Sequence, residues 1–522
     1  MTPGAAVPVS IIFGSGVLDP AETEEAARYV WDLCERLALP ALPEISVAPT
    51  EPAGMIVVDG TKIAPPVPDA QDVSVVSTAL FRNRVCLVTD DVARAVYAQF
   101  GLVGNETDFH KFHKVLRECV RAGRSISHLQ SVQTEAFAAD PASWLETALT
   151  AAEAPDIRIL VSQHTYDQLV DPQSGAYLPV DDGNQDFGAL LKMMSEGLFW
   201  ELGMHFGGRL ELARDLSGSA FRIGLNDIST PALQGLEAGQ FLVNDTADRL
   251  NLLGIDASST LNPVNLSDAS IVNANEAKRC EEELGLTTWT FAGHLILHTS
   301  SELRGNAAAF CTTDIVTFML ERLQNAFPDL IHAVRDRFDT ITVTQALRAL
   351  LTEEISIRNL RGLLEAMLEI QGTTTVSQRE HIVFGPQVGS LLPVANGDGE
   401  SDRNAEAIGE MMRAAQRAYI SHKYTRGQNT LLVYLVDPEF EVFLDPAATS
   451  AASEHTEEAV LSAFRETVQE SDASMVQPVV LTTTEVRKHL RLLIEHEYPR
   501  LAVLSYSELQ PTMNIQPLAR IS

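Results

Sequence analysis

Short apolar runs of strand length alternate along this chain with amphipathic stretches of helix length. That alternation predicts a mixed α/β (α+β) protein made of several small subdomains rather than one large parallel sheet. The 522 residues, 45% hydrophobic and 21% charged, can bury several cores. Part of the sequence also recurs later in the chain, which multiplies small units.

Taken in order, strands are predicted at Val9–Phe13, Met55–Val58, Arg84–Val88, Ile157–Val161, Leu431–Val436, Val479–Leu481 and Leu501–Leu504, each a brief apolar run between polar or turn-forming residues. Helices are predicted over Glu22–Leu39, Phe187–Phe206, Ala307–Asn325, Val343–Thr352, Ile357–Ile370 and Glu485–Glu497. Within Ile357–Ile370, the residues Ile357, Leu360, Leu364 and Met367 step by 3, 4 and 3, one buried stripe of a helix. The Pro- and Ala-rich Ala138–Pro155 reads as a linker, Val394–Asn404 as an exposed loop, and Asp445–His455 as a soft segment between a strand-like run and the helical Glu457–Val468.

Thr78–Arg94 aligns without gaps to Thr288–Arg304, with identities at Phe81/Phe291, Leu87/Leu297 and Thr89/Thr299 among others. Leu116–Leu129 then aligns to Leu347–Leu360, sharing a Leu-Arg pair, a Ser-Ile pair and the closing Leu. Two matches in the same order indicate a repeat; the alternative is convergent helix–turn–helix patterning, since apolar periodicity alone creates such matches. Between Val58 and Thr78 stand 19 residues and between Leu225 and Thr288 stand 62, so the first copy lacks about 43, enough for a small inserted subdomain. The expected organisation is a truncated repeat at 1–135, a linker at 136–155, a first α/β subdomain at 156–237 continuing at 286–306, an insert at 238–285, a helical subdomain at 307–378 and a C-terminal α/β subdomain at 379–522.

Charge and cysteine content exclude several functions. Lys and Arg total 38 against 70 Asp and Glu, a net charge of −32; phosphate backbones need a basic footprint, so nucleic acid is excluded as a partner, and anionic lipid is disfavoured. No apolar run reaches the roughly 18 residues needed to cross a bilayer, and no basic residue precedes Val7–Phe13 as a signal peptide requires. The expected location is the cytoplasm, or the inner-membrane periphery through partners, without direct membrane insertion. Five dispersed cysteines without a CxxC pair fit reduced thiols.

No compact catalytic, cofactor or metal motif emerges. His110 and His113 lie three apart, but Phe109, Phe112 and Leu116 form that helix's apolar stripe and no zinc-spaced third ligand follows. His489 and His496 flank Leu493 as packing residues. Gly14-Ser15-Gly16 lacks the rest of a dinucleotide fingerprint. Asp181–Asn184 and Asp398–Glu400 stop short of a calcium loop. Arg361 is placed to pair with Glu365 on one helix face, while Arg358 is a candidate for holding a subdomain joint. Arg487, in the first turn of its helix, opposes the helix dipole, which leaves two readings: a specific carboxylate or carbonyl partner that holds a subdomain joint, or an exposed side chain.

Four blocks resemble the soluble domain of the FHIPEP family, the export-gate proteins of flagellar and virulence type III secretion. They are Ile341–Met367 (ITVTQALRALLTEEISIRNLRGLLEAM), Met412–Ile420 (MRAAQRAYI), Tyr434–Phe443 (YLVDPEFEVF) and Val480–Leu509, which ends in VLSYSEL. Leu286–Leu295 adds a weaker block. The resemblance spans about residues 157–522 and covers the family's soluble domain, not its transmembrane portion; Asn359 and Gln416 depart from the family pattern. It implies a non-enzymatic role in protein secretion and transport, as a docking platform below the export gate. The implied partners are secretion chaperones, export substrates, export-apparatus proteins or a membrane-embedded gate. Phe241, Leu242, Leu250, Leu252 and Leu253 of the insert are the implied candidate partner-binding residues. Two assemblies stand open, a homo-oligomeric ring and a monomer capped by its own first copy. The alternatives are a scaffold reusing this domain outside secretion and an enzyme with an unrecognised site.

Overall fold

The computed structural model describes residues 6–14, 18–48, 55–63, 73–102, 106–131, 156–180, 185–374, 400–444, 454–468 and 478–522. The expected linker, the turn Asp181–Asn184, Asp398 and Gly399 of the other calcium-like turn, and most of 394–404 and 445–455 fall outside these residues. The chain divides into two compact units, Met1–Phe310 and Cys311–Ser522.

The first unit opens with β1 (Val7–Gly14), whose Val9, Ile11 and Phe13 are fully buried. A capping box between Asp19 and Glu22, with proline at the first position, starts α1 (Pro20–Arg36). Strands β2 (Ala41–Ala48), β3 (Ile56–Val58) and β4 (Thr61–Ile63) complete a sheet of order β2-β1-β3-β4, with β1 parallel to β2 and antiparallel to β3. Three helices follow, α2 (Val73–Arg82), α3 (Asp90–Gln99) and α4 (Glu106–Arg121). The strand expected at Arg84–Val88 is instead a 3-10 turn, Arg84–Leu87. The run is apolar because it is buried, and the buried Arg84 side chain holds the turn by donating to Phe81 O and Val120 O, both at 2.9 Å.

Residues 156–310 repeat that plan. Here β5 (Ile157–Val161), α5 (Gln163–Leu169), α6 (Phe187–Leu202), β6 (Arg209–Leu212), β7 (Ala220–Leu225) and β8 (Ile228–Ser229) build a sheet of order β6-β5-β7-β8, with β9 (Leu233–Gln234) added on β7. The senses match the first sheet: β5 is parallel to β6 and antiparallel to β7, and β7 is antiparallel to β8. The inserted subdomain contains β10 (Gln240–Val243), α7 (Ala247–Leu252), β11 (Ser258–Leu261), β12 (Asp268–Asn273), α8 (Ala274–Leu284) and β13 (Thr288–Trp289), in sheet order β11-β12-β10-β13. Helices α9 (Phe291–Gly305) and α10 (Ala307–Phe310) end the unit.

The second unit begins with α11 (Thr313–Gln324), α12 (Pro328–Arg335), α13 (Thr340–Thr352) and α14 (Leu360–Thr374). The single helix expected over Ala307–Asn325 is therefore two, because Thr312 accepts from Ile315 N and starts a new helix. Ile357, Leu360, Leu364 and Met367 are all buried. Then come α15 (Glu400–Ala415), which begins inside the expected loop 394–404, α16 (Arg417–Thr425), β14 (Thr430–Val436), α17 (Pro438–Leu444), α18 (Glu454–Thr467), β15 (Val479–Thr482), α19 (Thr484–Ile494), β16 (Val503–Ser505) and β17 (Asn514–Ile521). The sheet order is β16-β15-β14-β17, parallel throughout.

Backbone geometry sets the register of the repeat. The pairing of Leu116–Leu129 with Leu347–Leu360 places equal elements together: both Leu-Arg pairs lie on helices, α4 and α13, and both Ser-Ile pairs follow a left-handed residue, Gly123 (φ +67) and Glu354 (φ +55). Arg124 N donates to Cys119 O and Ile355 N to Leu350 O. Ser125 and Ser356 each accept, through the hydroxyl, from the amide two residues on at 3.3 Å. The pairing of Thr78–Arg94 with Thr288–Arg304 does not survive, since Thr78 is inside α2 and Thr288 is on β13. The equivalent positions are Asn83 and Asn306, whose amides donate to the carbonyl four residues back at 3.0 and 2.9 Å, and the helix-capping Thr89 and Thr312. Apolar periodicity had matched one helix to its counterpart in a shifted frame.

Candidate functional site

The inserted subdomain is built on two small apolar clusters. Val243, Leu250, Ile255, Val272, Ala277 and Cys280 form one, with Phe241 packed against it. Leu242 joins Leu236 and Ala269 in the other, against Trp289, Phe291 and Leu297. Leu242 and Leu250 are therefore core residues and Phe241 is half-buried. Leu252 and Leu253 lie elsewhere. Thr246 caps α7, the helix ends at Leu252, and Gly254 turns the chain at φ +74, which leaves Leu252 87% and Leu253 47% exposed. Of the five candidates, these two present apolar surface to solvent.

The second site is the charge that Arg487 demanded. In the first turn of α19 the fully buried guanidinium donates through Nη1 and Nη2 to Glu353 at 2.7 and 3.0 Å and through Nε to Glu410 at 2.7 Å, and reaches Val503 O at 3.3 Å. Arg413, equally buried, donates through Nε and Nη2 to Glu508 at 3.1 and 2.7 Å. Its Nη1 lies 3.1 Å from Glu353 without hydrogen-bond geometry. Burial pushes the Glu353 carboxyl up, but Arg413 and Arg487 outweigh it and hold the group at about 2. Gln416 completes the joint by donating to Ser356 O at 2.8 Å. Thus the turn after α13 is tied to α15 and α19. Arg358 is on the exposed side of that turn, and Arg361 pairs with Glu365 at 2.8 Å.

Sequence reading missed Glu353, Arg413, Glu410 and Glu508, because charges far apart in the chain give no spacing signal. His110 and His113 do not converge: His113 contacts Val88 O and Asp90, and His110 faces Glu106 at 3.9 Å. His489 and His496 are half-buried around Leu493, which packs on the C-terminal core. Among the described residues no group of three or more His, Cys, Asp or Glu could hold a metal, and no helix is long and apolar enough to cross a membrane.

Among the described residues, four small sheets with helices between them define a mixed α/β module. The sequence pattern of the FHIPEP family matches residues 146–383 and 392–514, and the chain belongs to that family. It is 29% identical over 348 residues to the Low calcium response locus protein D of Yersinia pestis, across 63% of this chain and 44% of that protein; it spans less than half the length of that relative. Among solved structures it is similar to the Chlamydia pneumoniae CdsV protein, with 26% identity and a TM-score of 0.57 over 70% of this chain and 98% of that one. It is also similar to a chain of the Chlamydia pneumoniae CdsV and CdsO protein complex, with a TM-score of 0.56 at 26% identity over 70% of this chain and 97% of that one. The chain is thus homologous to the cytoplasmic part of type III secretion export-gate proteins.

Proposed function

We propose that this protein is a non-enzymatic docking component of a type III secretion apparatus, cytoplasmic or held at the inner-membrane periphery by its partners, and that the Leu252–Leu253 tip receives them. The observation carrying this reading is that tip: the insert's two clusters are complete without it, yet two leucines remain in water, where each exposed apolar side chain forgoes about 1–2 kcal/mol of burial. Chaperone–substrate complexes are the occupants favoured by family membership. The complex of CdsV with CdsO supports export-apparatus partners as a second group. Within the second unit, Arg487 ties the turn after α13 to α15 and α19. A homo-oligomeric ring and a self-capped monomer both remain compatible with this role.

Purified chaperone–substrate complexes of the same secretion system provide the test, by biolayer interferometry against the full chain. Leu252→Asp combined with Leu253→Asp is expected to weaken capture about tenfold or more, as loss of a central apolar anchor does, with thermal stability unchanged. Undiminished capture by that variant, or no capture by the native chain, would sink the proposal.

A further inference from the structure

Inside the first unit, residues 6–131 meet residues 156–310 through a contact whose charges are sorted by side. The cations come from the N-terminal repeat. Arg82 pairs with the buried Glu302. Arg84 donates to Asn306 Oδ1 at 2.8 Å. Arg124, buried, lies 3.7 Å from Asp227, and His128 Nε2 lies 3.0 Å from the same carboxylate. Both carboxylates stand on the other side.

Backbone groups fix the fit. Ser125 N donates to Asp227 Oδ2 at 2.8 Å, Asp227 N to Gly123 O at 3.0 Å and Asn226 Nδ2 to Ala122 O at 2.7 Å. Gly123 approaches so closely that a Cβ there would lie 3.0 Å from Leu225 O and from Ile228. The equivalent turn of the second copy cannot substitute, because Glu354 stands for Gly123 and Ile355 for Arg124, bringing a clash and losing the cation.

We propose that the face formed by the Leu225–Ile228 hairpin and the end of α9 at Glu302–Asn306 is a docking surface for an arginine-bearing protein segment with a glycine at its turn, and that the N-terminal repeat is its built-in occupant. Charge complementarity identifies the occupant: two carboxylates, one of them buried, on a chain of net charge −32 select a basic segment and speed its arrival. The contact is rich in hydrogen bonds and ion pairs, the character of interfaces that open and close. A basic segment of a partner would then compete with the repeat. This inference is independent of the Leu252–Leu253 tip, and either can fail alone.

The test opens the contact from the repeat's side only, in the full chain, with Arg82→Glu and Arg124→Glu; glutamine at both positions serves if the glutamates prevent folding. Hydrogen exchange over residues 225–229 reports release, and the probe is a fluorescein-labelled peptide of residues 118–131. The opened chain is expected to exchange faster there and to bind the peptide about tenfold tighter than the native chain. That binding should weaken between about 50 and 300 mM salt and be lost with Gly123→Leu in the peptide. Unchanged exchange, an opened chain that ignores the peptide, or equal binding by the native chain each overturns the proposal.

Discussion

The two turns after α4 and α13 share a backbone and differ in what they hold. Each has a left-handed residue, Gly123 or Glu354, and each has a serine hydroxyl that accepts from the amide two residues on. Yet the first docks on the Asn226–Asp227 hairpin, while the second is bound by Arg487 and Gln416. Short-range hydrogen bonds fix the shape of the turn; the side chains just before and within it choose the partner. Glu353 offers a carboxylate to two buried arginines, whereas Ala122 offers only its carbonyl. A truncated repeat that lacks the C-terminal subdomain thus has its turn covered by a different neighbour.

Breaking the second turn's contact should have the largest effect. Arg487→Ala leaves Glu353 and Glu410 without the guanidinium hydrogen-bonded to both in a largely buried site, a change that costs about 3–5 kcal/mol. A fall in the melting temperature of the second unit, followed by calorimetry on the full chain, checks it. Arg487→Lys should recover only part, because an ammonium cannot satisfy two carboxylates in fork geometry.

Acid should separate the units next. Glu353 sits at about 2, below its ordinary 4.5; its contribution is complete above pH 4.5 and is lost as pH falls from there toward 2. In the first unit, His294 and His298 on α9 contact each other and Phe221. Burial lowers His294 to about 4, and burial, together with the neighbouring His294 and Arg82, holds His298 well below its ordinary value. The unfolded chain binds these protons first, so the first unit loses stability below about pH 6.5, by up to about 1.4 kcal/mol per histidine for each pH unit. Hydrogen exchange at pH 7, 5.5 and 4 should show α9 weakening before α19. The reverse order would refute the assignment.

Much of this architecture was legible in the sequence, and what was not has physical reasons. The strands around Val9–Phe13, Ile157–Val161 and Leu431–Val436 announced themselves as apolar runs, and the Leu-Arg and Ser-Ile pairs fall on like elements, a helix and the turn after it. Arg84–Val88 misled because a buried turn and a buried strand are equally apolar. Arg487 was legible as a cation in the wrong place on a helix dipole, but its partners were not, since Glu353, Glu410 and Val503 converge only through tertiary packing. Likewise Leu252 and Leu250 look alike in sequence, and only the path of α7 puts one in water and the other in the core.

The finest test exchanges the left-handed residue between the turns. Gly123→Ala places a Cβ on backbone at φ +67, against Leu225 O and Ile228. The conformational penalty alone is about 1 kcal/mol, and the close approach adds to it by forcing the hairpin back. Glu354→Gly acts in the opposite direction. Its φ of +55 costs a side-chain-bearing residue what glycine avoids, its side chain is exposed, and the Lys423 ammonium bonds mainly to its carbonyl, at 2.7 Å, which glycine retains. Part of the relief is returned as greater freedom of the unfolded chain, so the expected gain is at most about 1 kcal/mol. Denaturant midpoints of the two variants should therefore move to opposite sides of the native chain. If both fall, the second turn depends on the Glu354 side chain more than its exposed position indicates.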